Sequence, residues 1–301
     1  MSELRDTQAL ALAPSRLARL RDLFALTKSR QTLLLLVTGI CAYALTLPGA
    51  IRWDELAFAA LGLLASISGC TALNMIIDRD IDAAMSRTAN RPLAAGRLSP
   101  LLALAFALSL SIPGLALAWL VKPIFGLIVT AGFALDFGVY TVWLKRRTPA
   151  SIIWGGLSGG MPALAGRALA LGRIDAIGIL LALAVLLWIP AHILSLSTRH
   201  AEDYHRAGVP VWPNVYGLRA TYRLIAGATI LNVVVLQIAG FLLALSVPAL
   251  AGLAAIGAAL LVLSLVAWAR PSSANTWRLF KFASMYMLVS FTLLTLGATL
   301  R

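Results

Sequence analysis

Stretches of about twenty predominantly apolar residues alternate with polar connections along the whole chain. They cover approximately residues 31–51, 56–77, 100–121, 123–143, 150–171, 175–198, 220–243, 247–269 and 279–300. A helix needs about 20 such residues to cross some 30 Å of hydrocarbon. The pattern therefore predicts an all-α polytopic membrane protein, a bundle of about nine transmembrane helices. Residues 1–30 are expected to form a basic N-terminal segment, and residues 31–301 a single transmembrane domain.

The connections are unequal. Two of them, 78–99 and 199–219, are long and polar, whereas those on the opposite side are mostly short; long ordered loops tend to carry function. Basic residues follow the same asymmetry. With the N-terminus inside, roughly 20 of the 25 Lys and Arg fall in cytoplasmic segments, leaving Arg52, Lys122, Arg167, Arg173 and Arg301 outside. The expected orientation is N-terminus in and C-terminus out. In residues 14–26, Leu17, Leu20 and Phe24 share a helical face, with Arg16, Arg19 and Arg21 on or near the other. This suits a helix lying at the membrane interface; the alternative is a frayed basic tail.

Composition agrees with a membrane solvent: 60% of residues are hydrophobic, 12% are charged and the mean hydropathy is +0.88. That charged fraction is about half of what a soluble domain carries. A net charge of +13 would suit nucleic acid, yet the basic residues alternate with the spans and form no single patch, so no nucleic-acid partner is expected. Cys41 and Cys70 fall within apolar runs and read as small hydrophobes. Residues 1–30 lack a signal-peptide core, and Glu3, Asp6 and Asp22 are unlike an acid-poor transit peptide. The plasma membrane of a bacterium or archaeon is thus expected rather than the mitochondrial inner membrane.

Polar chemistry gathers at the cytoplasmic helix ends. Asn74, Asp78 and Asp82 are successive i, i+4 neighbours, so they drift only about 80° around a helix and face one cavity, while Asp80 points elsewhere. Carboxylates crowded at a membrane boundary need a cation, and hard oxygen ligands at this spacing favour Mg²⁺ bridged to phosphate. The bland alternative is a solvated acidic helix end. Arg87, Arg91 and Arg97 follow in a loop able to clamp phosphate oxygens. A second cluster holds His192, Arg199, His200, Glu202, Asp203, Tyr204, His205 and Arg206, with Asp203 a candidate second metal carboxylate. Tyr140 and Lys145-Arg146-Arg147 close the fourth span on the same side. Arginine and lysine there also satisfy the positive-inside rule, which needs no particular position. Asp136, one turn before Tyr140, is an intramembrane acid and hence a functional candidate. His192 either binds a metal or porphyrin or donates to a backbone carbonyl.

With these residues in view, the chain resembles the UbiA-type intramembrane prenyltransferases, and within them the protohaem IX farnesyltransferase family. The wider resemblance rests on Asn74, Asp78 and Asp82 as N-x-x-x-D-x-x-x-D, with Asp203 in a second cluster. The closer one rests on Leu26-Thr27-Lys28-Ser29-Arg30, Arg87-Thr88-Ala89-Asn90-Arg91-Pro92-Leu93, Tyr140 through Pro149, and Asp203-Tyr204 through Pro210. Departures fall at Ser29, Ser151 and Arg167, where that family usually carries proline, asparagine and tryptophan, and beside His192, where Ala191, Ile193 and Leu194 replace a proline and two aromatics.

The resemblance implies Mg²⁺ as cofactor, farnesyl diphosphate as donor and haem B as acceptor substrate, in a chamber open to membrane lipid. It implies Asp78, Asp82 and Asp203 as metal ligands with Asn74 orienting, and Arg87, Arg91, Lys145, Arg146 and Arg199 on the diphosphate. Tyr140, Trp143 and Trp154 are candidates to face an allylic cation, and Tyr204 and His192 to contact substrate. A haem A synthase or terminal oxidase assembly factors are implied partners. Two other readings remain: the same enzyme with a quinone precursor, chlorophyllide or lipid head group as acceptor, and a non-catalytic haem transporter.

Overall fold

The computed structural model describes residues 15–300, within which every regular element is helical. Pro14, Glu3, Asp6 and Arg301 lie outside the described residues. A first helix, α1 (Arg16–Leu26), starts at Ser15, whose hydroxyl accepts from the Ala18 amide. It docks through buried Leu26 and half-buried Leu23 against Ala72, Leu73, Leu93 and Leu98, and Asp22 pairs with Arg97 at 3.1 Å. The face carrying Leu17, Leu20 and Phe24 stays exposed.

The remaining elements are α2 (Ser29–Ala44), α3 (Trp53–Ile77), α4 (Arg79–Ala84), α5 (Pro100–Val121), α6 (Pro123–Leu144), α7 (Ser151–Leu171), α8 (Ala176–Arg199), α9 (Ala201–Arg206), α10 (Trp212–Leu242), α11 (Val247–Ala269) and α12 (Ser273–Thr299). Each predicted span coincides with one long helix, but by length and apolarity seven of these suffice to cross a membrane. The other two depart for physical reasons. With 16 residues α2 is roughly 24 Å long. α7 is long enough but carries Pro162, Arg167 and several glycines.

Those glycines are packing devices. A Cβ on Gly166 would lie 2.0 Å from the Gly39 carbonyl, and one on Gly160 would lie 2.5 Å from that of Ala182. The α7 backbone therefore touches both α2 and α8, the close approach that small residues permit between helices in lipid. Arg167, where the resembled family has tryptophan, is buried at the outer end of α7. Its Nε–H is shared between both Asp175 oxygens, its Nη2 donates to Asp175 as well, and its Nη1 donates to Thr46.

α3 runs along α5, α7 lies between α2 and α8, and α12 packs on α11 and returns to α2. One apolar cluster joins α8, α10, α11 and α12 around Tyr222 and Phe291; another joins α2, α3, α6 and α7 around Tyr43 and Phe125. Six helices, α2, α3, α6, α7, α8 and α12, enclose a cavity of about 730 Å³ whose walls include Leu63, Val129, Met161, Val185 and Leu288. Two of the six are locally widened to π-helix, at Ala134–Leu144 in α6 and Pro190–Leu194 in α8. Such widening recurs at functional sites, and these segments carry Asp136, Tyr140 and His192.

Candidate active site

The α3–α4 junction supplies the first acids. Asp78 leaves the helical path (φ −86°, ψ 6°), yet its amide still bonds to Asn74 O at 2.9 Å and its carbonyl takes the Asp82 amide at 2.8 Å. The i, i+4 relation survives the break. Asn74, Asp78 and Asp82 are 6%, 4% and 5% exposed, so all three turn inward as the spacing predicts. Asp80 turns outward and pairs with Arg146, which also caps the Ile77 carbonyl at 2.8 Å. That guanidinium holds the Asp80 carboxyl down at about 2.

Each inward acid meets a cation from another segment. Lys145 Nζ donates to Asp78 Oδ2 at 2.5 Å, and Arg91 Nη1 reaches both Asp82 oxygens at 2.8 Å. Thr88, buried in the same loop, donates to the Asp82 carbonyl at 3.0 Å. Two oxygens are left over. Asn74 Oδ1 and Asp78 Oδ1 are buried without a partner, a condition that buried acceptors rarely tolerate unless a donor or cation reaches them. Amide and carboxylate oxygens are the donor chemistry of Mg²⁺, so these residues fit that ion.

Lys28 joins this group without having been singled out as a site residue. It caps α2 in the left-handed region at φ 45°, a strained position for a non-glycine residue. The residue as a whole is half-buried. Burial first, then the nearby charges of Arg91 and Lys145, pull its pKa down to about 8, against the opposing pull of Asp78 and Asp136. The sequence carries no signal for this beyond its place in the family-like string before α2, because the strain and the cationic neighbours are tertiary.

The second cluster sits across the loop. Asp203 accepts from Ser86 Oγ at 2.7 Å, pairs with Arg206 and lies 3.7 Å from His200. The Ser86 hydrogen bond is foremost in holding the Asp203 carboxyl below the usual carboxylate range. Tyr204 packs with Ile81, Met85 and Val209, tying α9 to α4. Among the described residues no three His, Cys, Asp or Glu side chains stand close enough together to hold one metal ion; Asp203 is engaged by Ser86 and Arg206, while Asp78 and Asp82 are engaged by Lys145 and Arg91. The basic residues divide accordingly. Arg199 stacks 4.6 Å above Trp277 and donates to Ser273, Arg146 holds Asp80, and exposed Arg87 acts on His200, whose pKa burial and that charge both lower.

The apolar cavity adjoins the acids through Asp136. Asn74 Nδ2 donates to Asp136 Oδ2 at 2.7 Å, Cys70 Sγ approaches the same oxygen at 3.3 Å, and Ser158 Oγ lies 3.3 Å from the other. Cys70, Asp136 and Ser158 line the cavity. Tyr140, with Lys145 Nζ 5.7 Å from its ring centre, lines a smaller cavity of about 90 Å³ with Lys145 and Tyr204. Trp143 and Trp154 are 53% and 39% exposed and line neither cavity, so the structure does not bring them to the site. His192 does line the chamber, between Trp188 and Phe280. The aromatics missing from its own sequence neighbourhood are thus replaced from one turn back and from α12.

Comparison with known proteins agrees with the helical fold. The profile of the UbiA prenyltransferase family matches residues 35–288. A protohaem IX farnesyltransferase of Korarchaeum cryptofilum is 41% identical over 294 residues, covering 94% of this chain and 96% of the relative. One from Thermofilum pendens is 42% identical over 281 residues, covering 92% and 98%. Among solved structures, a digeranylgeranylglyceryl phosphate synthase superposes with a TM-score of 0.78 at 18% identity, covering 94% of this chain and 99% of the other. A UbiA homologue from Archaeoglobus fulgidus bound to DMAPP and Mg²⁺ superposes at 0.67 and 14% identity, covering 91% and 99%.

Proposed function

Because the chain belongs to the UbiA prenyltransferase family, we propose that it transfers the farnesyl group of farnesyl diphosphate to a vinyl group of haem B, with addition of water, to form haem O. The observation that carries this reading is the junction of two environments: an apolar chamber of about 730 Å³ whose wall includes Asp136, and, joined to it through the Asn74–Asp136 hydrogen bond, the buried, unpartnered oxygens of Asn74 and Asp78 with Lys28, Lys145 and Arg91 about them. A prenyl diphosphate has the same two-part character. The names of the Korarchaeum and Thermofilum relatives support haem as acceptor.

The acids and cations act at the diphosphate end. Lys145, Arg91 and Lys28 bind its oxygens; Arg87, Arg146 and Arg199 would join them by turning from His200, Asp80 and Trp277. Asp78 and Asp82 with Asn74, and Asp203 from the facing loop, would hold Mg²⁺, which would supply neutralisation of the charge that develops as diphosphate leaves; the Mg²⁺ bound with DMAPP in the Archaeoglobus homologue supports the ion. The C1–O bond breaks and the chamber walls keep bulk water from the allylic cation. The vinyl terminal carbon then bonds to C1, and water adds to the adjacent carbon with loss of a proton.

The protein is an integral membrane enzyme, and relatives from archaea support the plasma membrane. Haem O made there would pass to a haem A synthase or to terminal oxidase assembly factors. Detergent-purified protein incubated with haem B, farnesyl diphosphate and Mg²⁺, followed by mass analysis of the extracted haem, tests the proposal, with Asp78→Asn in parallel. A farnesylated haem that depends on Mg²⁺ and Asp78 is the expected result; diphosphate release only with another acceptor overturns haem, and no release with any acceptor overturns the reaction.

A further inference from the structure

Four aromatic rings form a continuous stack where α8 meets α12. Trp188 and His192 lie 4.8 Å apart at 17°, His192 and Phe280 4.8 Å apart at 22°, and Phe280 and Trp277 5.1 Å apart at 15°. The Arg199 guanidinium closes the far end over Trp277. Both faces of the imidazole are covered, so the ring meets the cavity by its edge alone.

Proton accounting identifies the reactive nitrogen. Ser284 Oγ stands 2.7 Å from the Phe280 carbonyl and 3.2 Å from His192 Nδ1. A hydroxyl has one proton to give, and the carbonyl, which only accepts, takes it. Ser284 therefore turns a lone pair toward Nδ1, and Nδ1 carries the hydrogen. In the neutral ring this leaves Nε2 with a bare lone pair. Among the described residues no donor is bonded to Nε2, although the ring lies in the cavity wall.

We infer that His192 Nε2 is the axial ligand of the iron of the acceptor porphyrin. The inference deepens the haem reading above and rests on it. An imidazole whose other nitrogen donates to a fixed acceptor, and whose plane is held, is the arrangement by which proteins orient a histidine toward a metal. Cys70, Met161 and Met285 also line the chamber, but Cys70 already approaches Asp136 with its thiol and neither methionine is held by a hydrogen bond of this kind. Ligation gives direction to a planar acceptor in a chamber whose walls are otherwise largely apolar.

Ferric haem B and metal-free protoporphyrin IX, titrated separately into purified wild type, His192→Ala and Ser284→Ala, test this by Soret spectra and binding. The wild type is expected to shift the haem band; His192→Ala loses that shift and binds haem roughly tenfold or more weakly, and added imidazole restores the band. Metal-free porphyrin binds both proteins equally. Ser284→Ala, which releases Nδ1, weakens haem binding without removing the band. An unchanged haem spectrum in His192→Ala overturns the ligation, as does a loss that imidazole fails to restore and that metal-free porphyrin shares. A His192-dependent haem spectrum in a wild type that makes no farnesylated haem overturns the proposed reaction and leaves the ligation standing.

Discussion

Asp136 takes the Asn74 amide hydrogen at 2.7 Å, and so decides which way the Asn74 side chain is turned. With Nδ2 committed to the carboxylate, Oδ1 is the atom left buried and unpartnered. Replacing Asp136 by leucine removes the acceptor and frees the amide to flip. We expect the Mg²⁺ concentration needed for half-maximal activity to rise roughly tenfold, with the haem requirement unchanged. Manganese binding followed by electron paramagnetic resonance provides the readout without turnover; equal manganese affinity in Asp136→Leu and wild type removes this role.

Asp78 and Lys145 form a pair whose halves act differently once substrate enters. Asp78→Asn keeps the shape but loses the charge, and we expect turnover to fall by roughly a hundredfold or more while circular dichroism shows the helical content intact. Lys145→Met is expected to act chiefly through weaker diphosphate binding. Near-normal turnover in Asp78→Asn sinks the assignment of this acid to the ion.

Lys28 should impose a pH dependence. Its pKa of about 8 means that the ammonium is present below pH 8 and lost above it, so affinity for inorganic diphosphate should fall between pH 7 and 9. Lys28→Arg, charged throughout, should flatten that fall. Folding follows the opposite sign: because the folded pKa is below the ordinary lysine value of about 10.5, the unfolded chain binds more protons between the two, and Lys28's contribution to stability rises with pH across that window. Calorimetric titration of diphosphate at several pH values checks the first statement.

Arg167 belongs to the outer end and to stability. Arg167→Met strands Asp175, which otherwise accepts from both its Nε and its Nη2. Thermal unfolding in detergent should show a loss of about 1–3 kcal/mol, with turnover per folded molecule unchanged. A fall in turnover without a fall in stability contradicts the separation of this pair from the chemistry.

The parts of the site that were legible in the sequence are those set by one helix. Asn74, Asp78 and Asp82 share a face because they are four residues apart, and a span that is polar at one end advertises that end. Asp203 was visible as chemistry, but its engagement by Ser86 depends on how two loops meet. Lys28, the Asp136–Asn74 bond and the Phe280–His192 stack depend on contacts across 62 and 88 positions of sequence separation or on a single left-handed residue, and no local pattern encodes them. Apolar length marked α2 and α7 as spans, but their close backbone packing through Gly39, Gly160 and Gly166 is a property of the assembled bundle.

The chamber also constrains kinetics. The large chamber offers a prenyl group no separate place to wait while the acceptor exchanges, and the neighbouring cavity of about 90 Å³ is too small to hold one. Donor and acceptor must therefore occupy the protein together, and initial rates measured at several fixed haem concentrations should give double-reciprocal lines that intersect instead of the parallel lines of a ping-pong cycle.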